Sequence, residues 1–303
     1  MGAPLKSFGV SGIHAGIETG TMEMGVSRKL FLALAVAAAA TGFAGLAGAA
    51  EPLPWQMNLQ PAVTPVAEEA RRFHDILLVI IAAISVFVLA LLLYCFVRFN
   101  EKANPVPSRT SHNTLVEVLW TVVPVMILVA IAIPSFKLMY YADRTEEAEM
   151  TIKAIGRQWY WSYEYPDHGN FTFDALLVPE AELTDPSKRL LETDTHVVVP
   201  VDTNVRILVT GSDVIHSWTI PAFHVKLDGI PGHVNESWFR VTVEGTYYGQ
   251  CSELCGVGHA YMPIVVEVVS KEAFAAWVAT AQEEYARIDA PAAEVAQLES
   301  AGN

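Results

Sequence analysis

Residues 76–97 pass through 22 positions without one charged side chain. A helix of that length crosses a hydrocarbon layer of about 30 Å, and only a segment that satisfies its own backbone hydrogen bonds is stable there. Residues 118–136 add 19 uncharged positions. They contain Pro124 and Pro134, which membrane helices tolerate better than soluble ones. Arg98 closes the first run, Lys137 the second, and the link between them is short. The expectation is a transmembrane α-helical hairpin over 76–140, preceded by an external N-terminal segment at 51–75.

Ahead of the hairpin, "RKLFLALAVAAAATGFAGLAGAA" (28–50) has a basic start, an apolar run and a small-residue end. Gly48 and Ala50 occupy the −3 and −1 places of a cleaved secretory signal, so residues 1–50 are assigned to an N-terminal extension and signal peptide. Lys and Arg flank both sides of the hairpin almost equally, and the signal therefore decides the orientation. The mature N-terminus lies outside, the hairpin loop in the cytoplasm, and everything after Tyr140 outside. Residues 141–303 hold 25 Asp and Glu against 10 Lys and Arg. That acidity argues against a nucleic-acid partner and suits a basic partner met at the membrane surface.

Beyond the hairpin the pattern turns β-rich. "MTIKAIGRQWYWSYEYP" (150–166), "HVVVPVDTNVRILVTG" (196–211), "SWFRVTVEGTYYGQC" (237–251) and "MPIVVEVVS" (262–270) are dense in Val, Ile, Thr and aromatics. Turn residues separate them, which predicts short strands of an antiparallel β-sandwich or barrel over 141–270. Strand spacing in "QWYW" (158–161) would put Trp159 and Trp161 on one inward face. "SKEAFAAWVATAQEEYARI" (270–288) carries Phe274, Trp277 and Val278 on one face of an amphipathic helix, and a polar tail completes a C-terminal unit at 271–303.

The reactive residues concentrate in "YGQCSELCGVGHAYMP" (248–263). Cys251, Cys255 and His259 stand at i, i+4 and i+8, one face of a helix, yet Gly256 and Gly258 are poor helix residues. An exported cysteine pair can form a disulfide, and two Cys with two His suit tetrahedral zinc. Neither arrangement uses the thioether of Met262, and the C-x3-C-x3-H-x2-M spacing departs from the usual zinc clips. Thiolate, imidazole and thioether together are the set that copper favours. Two thiolates can bridge two copper ions, each then taking one His, and His216 in "SDVIHSW" (212–218) supplies the second imidazole. On the residues alone, copper, zinc and disulfide all stay open.

"GRQWYWSYEYP" (156–166), "SDVIHSWTIPAF" (212–223), "YYGQCSELCGVGHAYMPIVVEV" (247–268) and the hairpin before them resemble subunit II of haem–copper cytochrome c oxidase. The resemblance runs from about residue 51 to 278. It implies an all-β cupredoxin-like sandwich that holds a dinuclear copper centre, CuA. By the resemblance, His216 and His259 are terminal ligands and Cys251 and Cys255 bridge both coppers. Met262 is then a weak ligand to one copper, and the backbone carbonyl of Glu253 a weak ligand to the other. The Glu253 side chain would reach a magnesium ion shared with subunit I.

The same resemblance makes Trp159 the residue through which cytochrome c delivers its electron, and places Asp174 and Asp213 in the docking face. Glu117, in "LVEVLWTVVP" (115–124), matches an acid at the mouth of a proton channel into subunit I. The implied activity is electron transfer from cytochrome c to haem in subunit I, where oxygen is reduced to water with proton pumping. No complete active site lies in this chain alone. The implied partners are subunit I and other oxidase subunits, cytochrome c and membrane lipid. The implied setting is a bacterial inner membrane, with the copper domain on the periplasmic side.

Arg157, His224 and His233 depart from the family's usual histidine, glycine and arginine, and both histidines are left out of the metal site. Cys95, inside the first membrane run, reads as a small apolar filler. Three rivals define the alternatives. A quinol oxidase subunit II shares the fold but lacks the copper ligands, nitrous oxide reductase carries the copper loop without the hairpin, and a zinc-stabilised membrane-tethered module is the non-redox reading. No C-x-x-C-H occurs, so no c-type haem is expected.

Overall fold

The structure is a computed structural model that describes residues 49–143 and 147–285. Helix α1 (Pro65–Arg98) and helix α2 (Thr114–Asp143) form the hairpin. The start of α1 follows from its cap. Thr64 has extended backbone angles, its hydroxyl accepts from the Ala67 N–H, and Pro65 fills the first helical position, where its missing N–H costs nothing. At 34 residues, α1 is about 51 Å long, well beyond the hydrocarbon layer. The surplus lies at its first turns, and the segment expected to be external at 51–75 is helical from Pro65. Val66, Ala67 and Ala70 are buried, and the Thr64 hydroxyl donates to the Phe223 carbonyl at 2.9 Å, tying the helix to the domain that follows. Along the spans themselves the apolar side chains are exposed, as lipid contact requires.

The domain holds eleven short strands among the described residues: β1 (Ala49–Ala50), β2 (Met150–Arg157), β3 (Tyr160–Tyr165), β4 (Phe171–Ala175), β5 (Val197–Pro200), β6 (Val205–Gly211), β7 (His216–Ile220), β8 (Val225–Gly229), β9 (Asn235–Phe239), β10 (Gly245–Gln250) and β11 (Pro263–Val269). One sheet runs β1-β10-β11-β5, another β4-β3-β2-β6-β9, and β7-β8 form a separate hairpin. β2 alternates buried and part-buried positions along its whole length, the period-two signature of a half-buried strand. Trp161, Tyr163, Trp218, Phe239, Ile207 and Ile264 fill the space between the layers. Helix α3 (Lys271–Tyr285) lays Trp277 against Phe171 and Phe173, and Phe274 against His168, at one end of the core.

Two expectations need correction. The sandwich is mixed rather than antiparallel: β6 pairs parallel to β2 from Met150↔Val205 to Gly156↔Gly211, and β5 pairs parallel to β11. The long connections between these strands allow the chain to return in the same direction, which hairpin turns do not. The stretch 150–166 is also two antiparallel strands rather than one. Trp159 therefore sits in the turn between β2 and β3, part-buried, while Trp161 is wholly buried in β3. Their shared face does not exist.

Residues 1–48 of the assigned signal and the tail beyond 285 lie outside the described residues. Ala49–Ala50 pairs in parallel with Thr246–Tyr247. Cleavage after Ala50 would remove that edge strand and leave Glu51, whose carboxylate pairs with Lys188, at the amino terminus.

Candidate metal centre

Three elements of the sandwich deliver the ligands. His216 opens β7, Cys251 follows the last residue of β10, and Met262 precedes the first residue of β11. The loop between β10 and β11 is not a helix. It is irregular from Cys251 to Gly258 and then makes a single 3-10 turn at His259–Tyr261. The two glycines have different jobs. Gly256 has φ +117°, a conformation in which a side chain is strained. Gly258 has an ordinary φ of −92°; it is small because Trp159 lies on it, and a Cβ there would fall 2.3 Å from the indole ring. Backbone bonds lock the loop to the sheet, with Cys251 N–H donating to the Met262 carbonyl at 3.2 Å and Ser252 N–H to the Ser217 carbonyl at 3.0 Å.

The Cys251 and Cys255 sulfurs stand 3.9 Å apart, unbonded. His216 Nδ1 lies 3.9 Å from the Cys251 sulfur, and His259 Nδ1 lies 3.5 Å from that of Cys255. The Met262 sulfur is 3.5 Å from Cys255, and the Glu253 carbonyl is 3.4 Å from Cys251. Cys251, Cys255, Met262 and His216 are buried, and His259 is half-buried. Among the described residues, one set of three ligand atoms lies within 4.8 Å of one another: those of His216, Cys251 and Cys255. His259 falls outside that set. A single tetrahedral ion needs its four donors all within about 4 Å of each other. Here one imidazole lies beside each sulfur, and each sulfur has one weak donor nearby, which fits two metals sharing two thiolates.

The residues behind the ligands were not legible in the sequence. His216 Nε2 is 2.8 Å from Asp213 Oδ1; the ring N–H donates to the carboxylate, and the Nδ1 lone pair faces the sulfur. Asp213 also accepts from the backbone N–H groups of Gln158 and Val214, each at 2.7 Å. Partial burial opposes its ionisation, but these bonds, the His216 one foremost, hold its carboxyl below the usual range. Burial likewise opposes protonation of His216, but the Cys251 sulfur and Asp213 outweigh it and raise its pKa. Burial disfavours both thiolates. Hydrogen bonding with His216 and with loop backbone nevertheless brings Cys251 down to about 6. Cys255, under burial and the charge on Cys251, is pushed up to about 12. The D-x-x-H spacing from 213 to 216 was the available signal for the Asp213 contact.

Trp159 and Gln158 reach the site from the β2–β3 turn. The indole N–H donates to the Cys255 carbonyl at 3.1 Å, and the Gln158 side-chain amide donates to the same oxygen at 2.9 Å. Asp174 is exposed and accepts from the Ser162 hydroxyl at 2.6 Å, which itself accepts from Arg157 at 2.9 Å. Leu254 and Val257 project from the ligand loop, 78% and 89% exposed, an apolar pair absent from the sequence expectations. The Glu253 side chain is exposed. Glu117 is far along the chain at the start of α2, where its carboxylate accepts from the Asn113 N–H at 3.1 Å and the Asn113 side chain accepts from Val116 N–H, a reciprocal cap.

Comparison with known proteins places both parts of the chain in one family. The family model described as "Cytochrome C oxidase subunit II, periplasmic domain" matches residues 150–269. Its companion, "Cytochrome C oxidase subunit II, transmembrane domain", matches residues 52–138. The chain is 51% identical over 238 residues to a probable cytochrome c oxidase subunit 2 of Rickettsia bellii, covering 78% of this chain and 88% of that protein. It is 45% identical over 267 residues to cytochrome c oxidase subunit 2 of Cereibacter sphaeroides, covering 82% and 88%. The crystal structure of the periplasmic domain of subunit II of cytochrome oxidase from Bradyrhizobium japonicum is similar at 51% identity. It covers 47% of this chain and 99% of that one, with a TM-score of 0.44.

Proposed function

The chain belongs to the cytochrome c oxidase subunit II family, and from that premise we propose that it takes electrons from cytochrome c at a dinuclear copper centre, CuA, and passes them to haem in subunit I. As a member of the family it is a subunit of a haem–copper oxidoreductase. The observation that carries the copper reading is the pair of unbonded sulfurs 3.9 Å apart with one imidazole beside each. Cys251 and Cys255 would bridge, His216 and His259 would cap the ends, and Met262 and the Glu253 carbonyl would complete them. Bound there, a copper pair supplies reversible one-electron acceptance.

The chain's own residues do the rest. Ligands anchored on three strands keep their positions when charge changes, so little rearrangement accompanies transfer. Burial excludes water from the sulfurs. Asp213 fixes the His216 tautomer. Trp159, on the surface side of the loop, connects the exterior to the Cys255 carbonyl through one hydrogen bond. Asp174 offers a negative charge to a basic cytochrome, in keeping with small redox interfaces steered by charge; Asp213 takes part in that face only with the charge that its internal bonds leave. The exposed Glu253 carboxylate is available to a magnesium ion at the border with subunit I. Glu117 faces a proton channel there in addition to capping α2. The setting is a bacterial inner membrane, with the hairpin embedded and the domain in the periplasm after cleavage of a signal peptide.

Stopped-flow reduction of the copper-loaded chain by a basic ferrocytochrome c tests the transfer role. Trp159→Phe is expected to slow it by about tenfold or more with the copper spectrum intact. An unchanged rate, or loss of copper from the variant, contradicts the assignment.

A further inference from the structure

Where the first turns of α1 meet the last turns of α2, the hairpin encloses an open cavity of about 560 Å³, within the range of about 300–1,000 Å³ typical of small-ligand sites. Phe73, Ile76 and Leu138 supply apolar parts of its lining, and the exposed Glu68, Glu69, Arg72 and Lys137 form its charged rim. Ile76 begins one uncharged run and Lys137 follows the other, so the cavity straddles the boundary between hydrocarbon and water. It does so at the end of the hairpin that touches the β-domain, where Tyr141 packs edge-on against Trp238 at 5.9 Å. A lipid headgroup and glycerol occupy this depth in a bilayer, with acyl chains continuing along the exposed apolar flanks of the helices.

The rim charges select the headgroup. An anionic lipid calls for a cluster of bases, whereas this rim has two acids and two bases. Arg72 and Glu69 pair with each other at 2.6 Å. That leaves the Glu68 carboxylate and the Lys137 ammonium, neither of which has a side-chain partner among the described residues. One free anion and one free cation on the rim complement a zwitterion, with phosphate toward Lys137 and ammonium toward Glu68. A primary ammonium donates hydrogen bonds to a carboxylate, and a trimethylammonium cannot. We propose that this cavity binds the headgroup of one phosphatidylethanolamine molecule of the outer leaflet.

Native mass spectrometry of the purified oxidase containing this chain tests the proposal. Wild type is compared with the double variant Glu68→Gln, Lys137→Gln, which is remote from the copper ligands. Wild type is expected to retain one more phosphatidylethanolamine than the variant, with equal phosphatidylglycerol and phosphatidylcholine. After exhaustive delipidation of both, adding phosphatidylethanolamine to the micelles should restore the adduct in wild type alone. Should the double variant not assemble, the single variants decide: Glu68→Gln must lose the lipid and Lys137→Arg, which keeps the cation, must retain it. Equal phosphatidylethanolamine counts overturn the proposal, as they would if a neighbouring subunit fills the groove. So does an equal loss of all three lipids, which would mean that the headgroup is not read. The lipid count does not depend on what metal the loop holds.

Discussion

Asp213 directs its carboxylate into the molecule, to the His216 ring and to two backbone N–H groups. Such a partner orients a ligand and raises its basicity, and its removal typically costs about 10- to 100-fold in metal affinity. Asp213→Asn should therefore keep two coppers at saturation but lose them to a competing chelator at roughly tenfold lower chelator concentration; an unaltered competition curve removes this role. The thiols predict a proton count. With Cys251 down at about 6 and Cys255 up at about 12, the pair near pH 8 carries one proton that metal must displace. Below the Cys251 value it carries two. Loading should therefore release about one proton near pH 8 and more as pH falls past about 6, where Cys251 and His216, its pKa raised, must also give theirs up, with affinity weakening on the acid side. Calorimetry in buffers of different ionisation heat measures this, and a pH-independent count contradicts it. Gly258→Ala places a methyl into the Trp159 ring and should push the indole outward, seen as red-shifted fluorescence with slower reduction by cytochrome c. At this scale the ligands were legible, because soft donors at unusual spacing are informative. The supporting contacts of Asp213, Gln158 and Trp159 were not, since they depend on how the β2–β3 turn meets a loop 97 residues further on.

The elements show a different limit. Both spans stood out because 22 and 19 consecutive uncharged positions seldom occur outside a membrane helix. The outer turns of α1 did not, because Glu68, Glu69, Arg71 and Arg72 interrupt the apolar signal while the helix continues on the strength of its cap. Strands β4, β7 and β8 were unassigned. In β7 four of five residues are buried, which erases the alternation that marks a half-exposed strand. Parallel pairing of β2 with β6 has no local signature at all. Thr64→Ala tests the junction of hairpin and domain, since that hydroxyl both caps α1 and donates to Phe223. It should cost about 1–2 kcal/mol in denaturant unfolding of the domain within the full chain, with copper binding unchanged. A loss below about 0.3 kcal/mol would show the cap to be dispensable.

Taken whole, the molecule is a membrane hairpin followed by an acidic β-domain whose candidate metal loop joins β10 to β11 and is tied to β7. Family membership and architecture agree, and under the proposed function the acidity of residues 141–303, 25 acids against 10 bases, would serve to attract a basic donor. Asp174→Asn should lower the second-order rate with cytochrome c by roughly two- to fivefold at low ionic strength, the difference closing as salt shortens the screening length. A rate and salt dependence identical to wild type would remove Asp174 from the docking face. The central claim is that two metals share two thiolates, and electron paramagnetic resonance of the copper-loaded chain, with metal analysis of the same sample, tests it most directly. Two coppers per chain and one unpaired electron with hyperfine splitting shared equally over both nuclei are the predicted result; one zinc with no signal, or a four-line spectrum from a single copper, would contradict it.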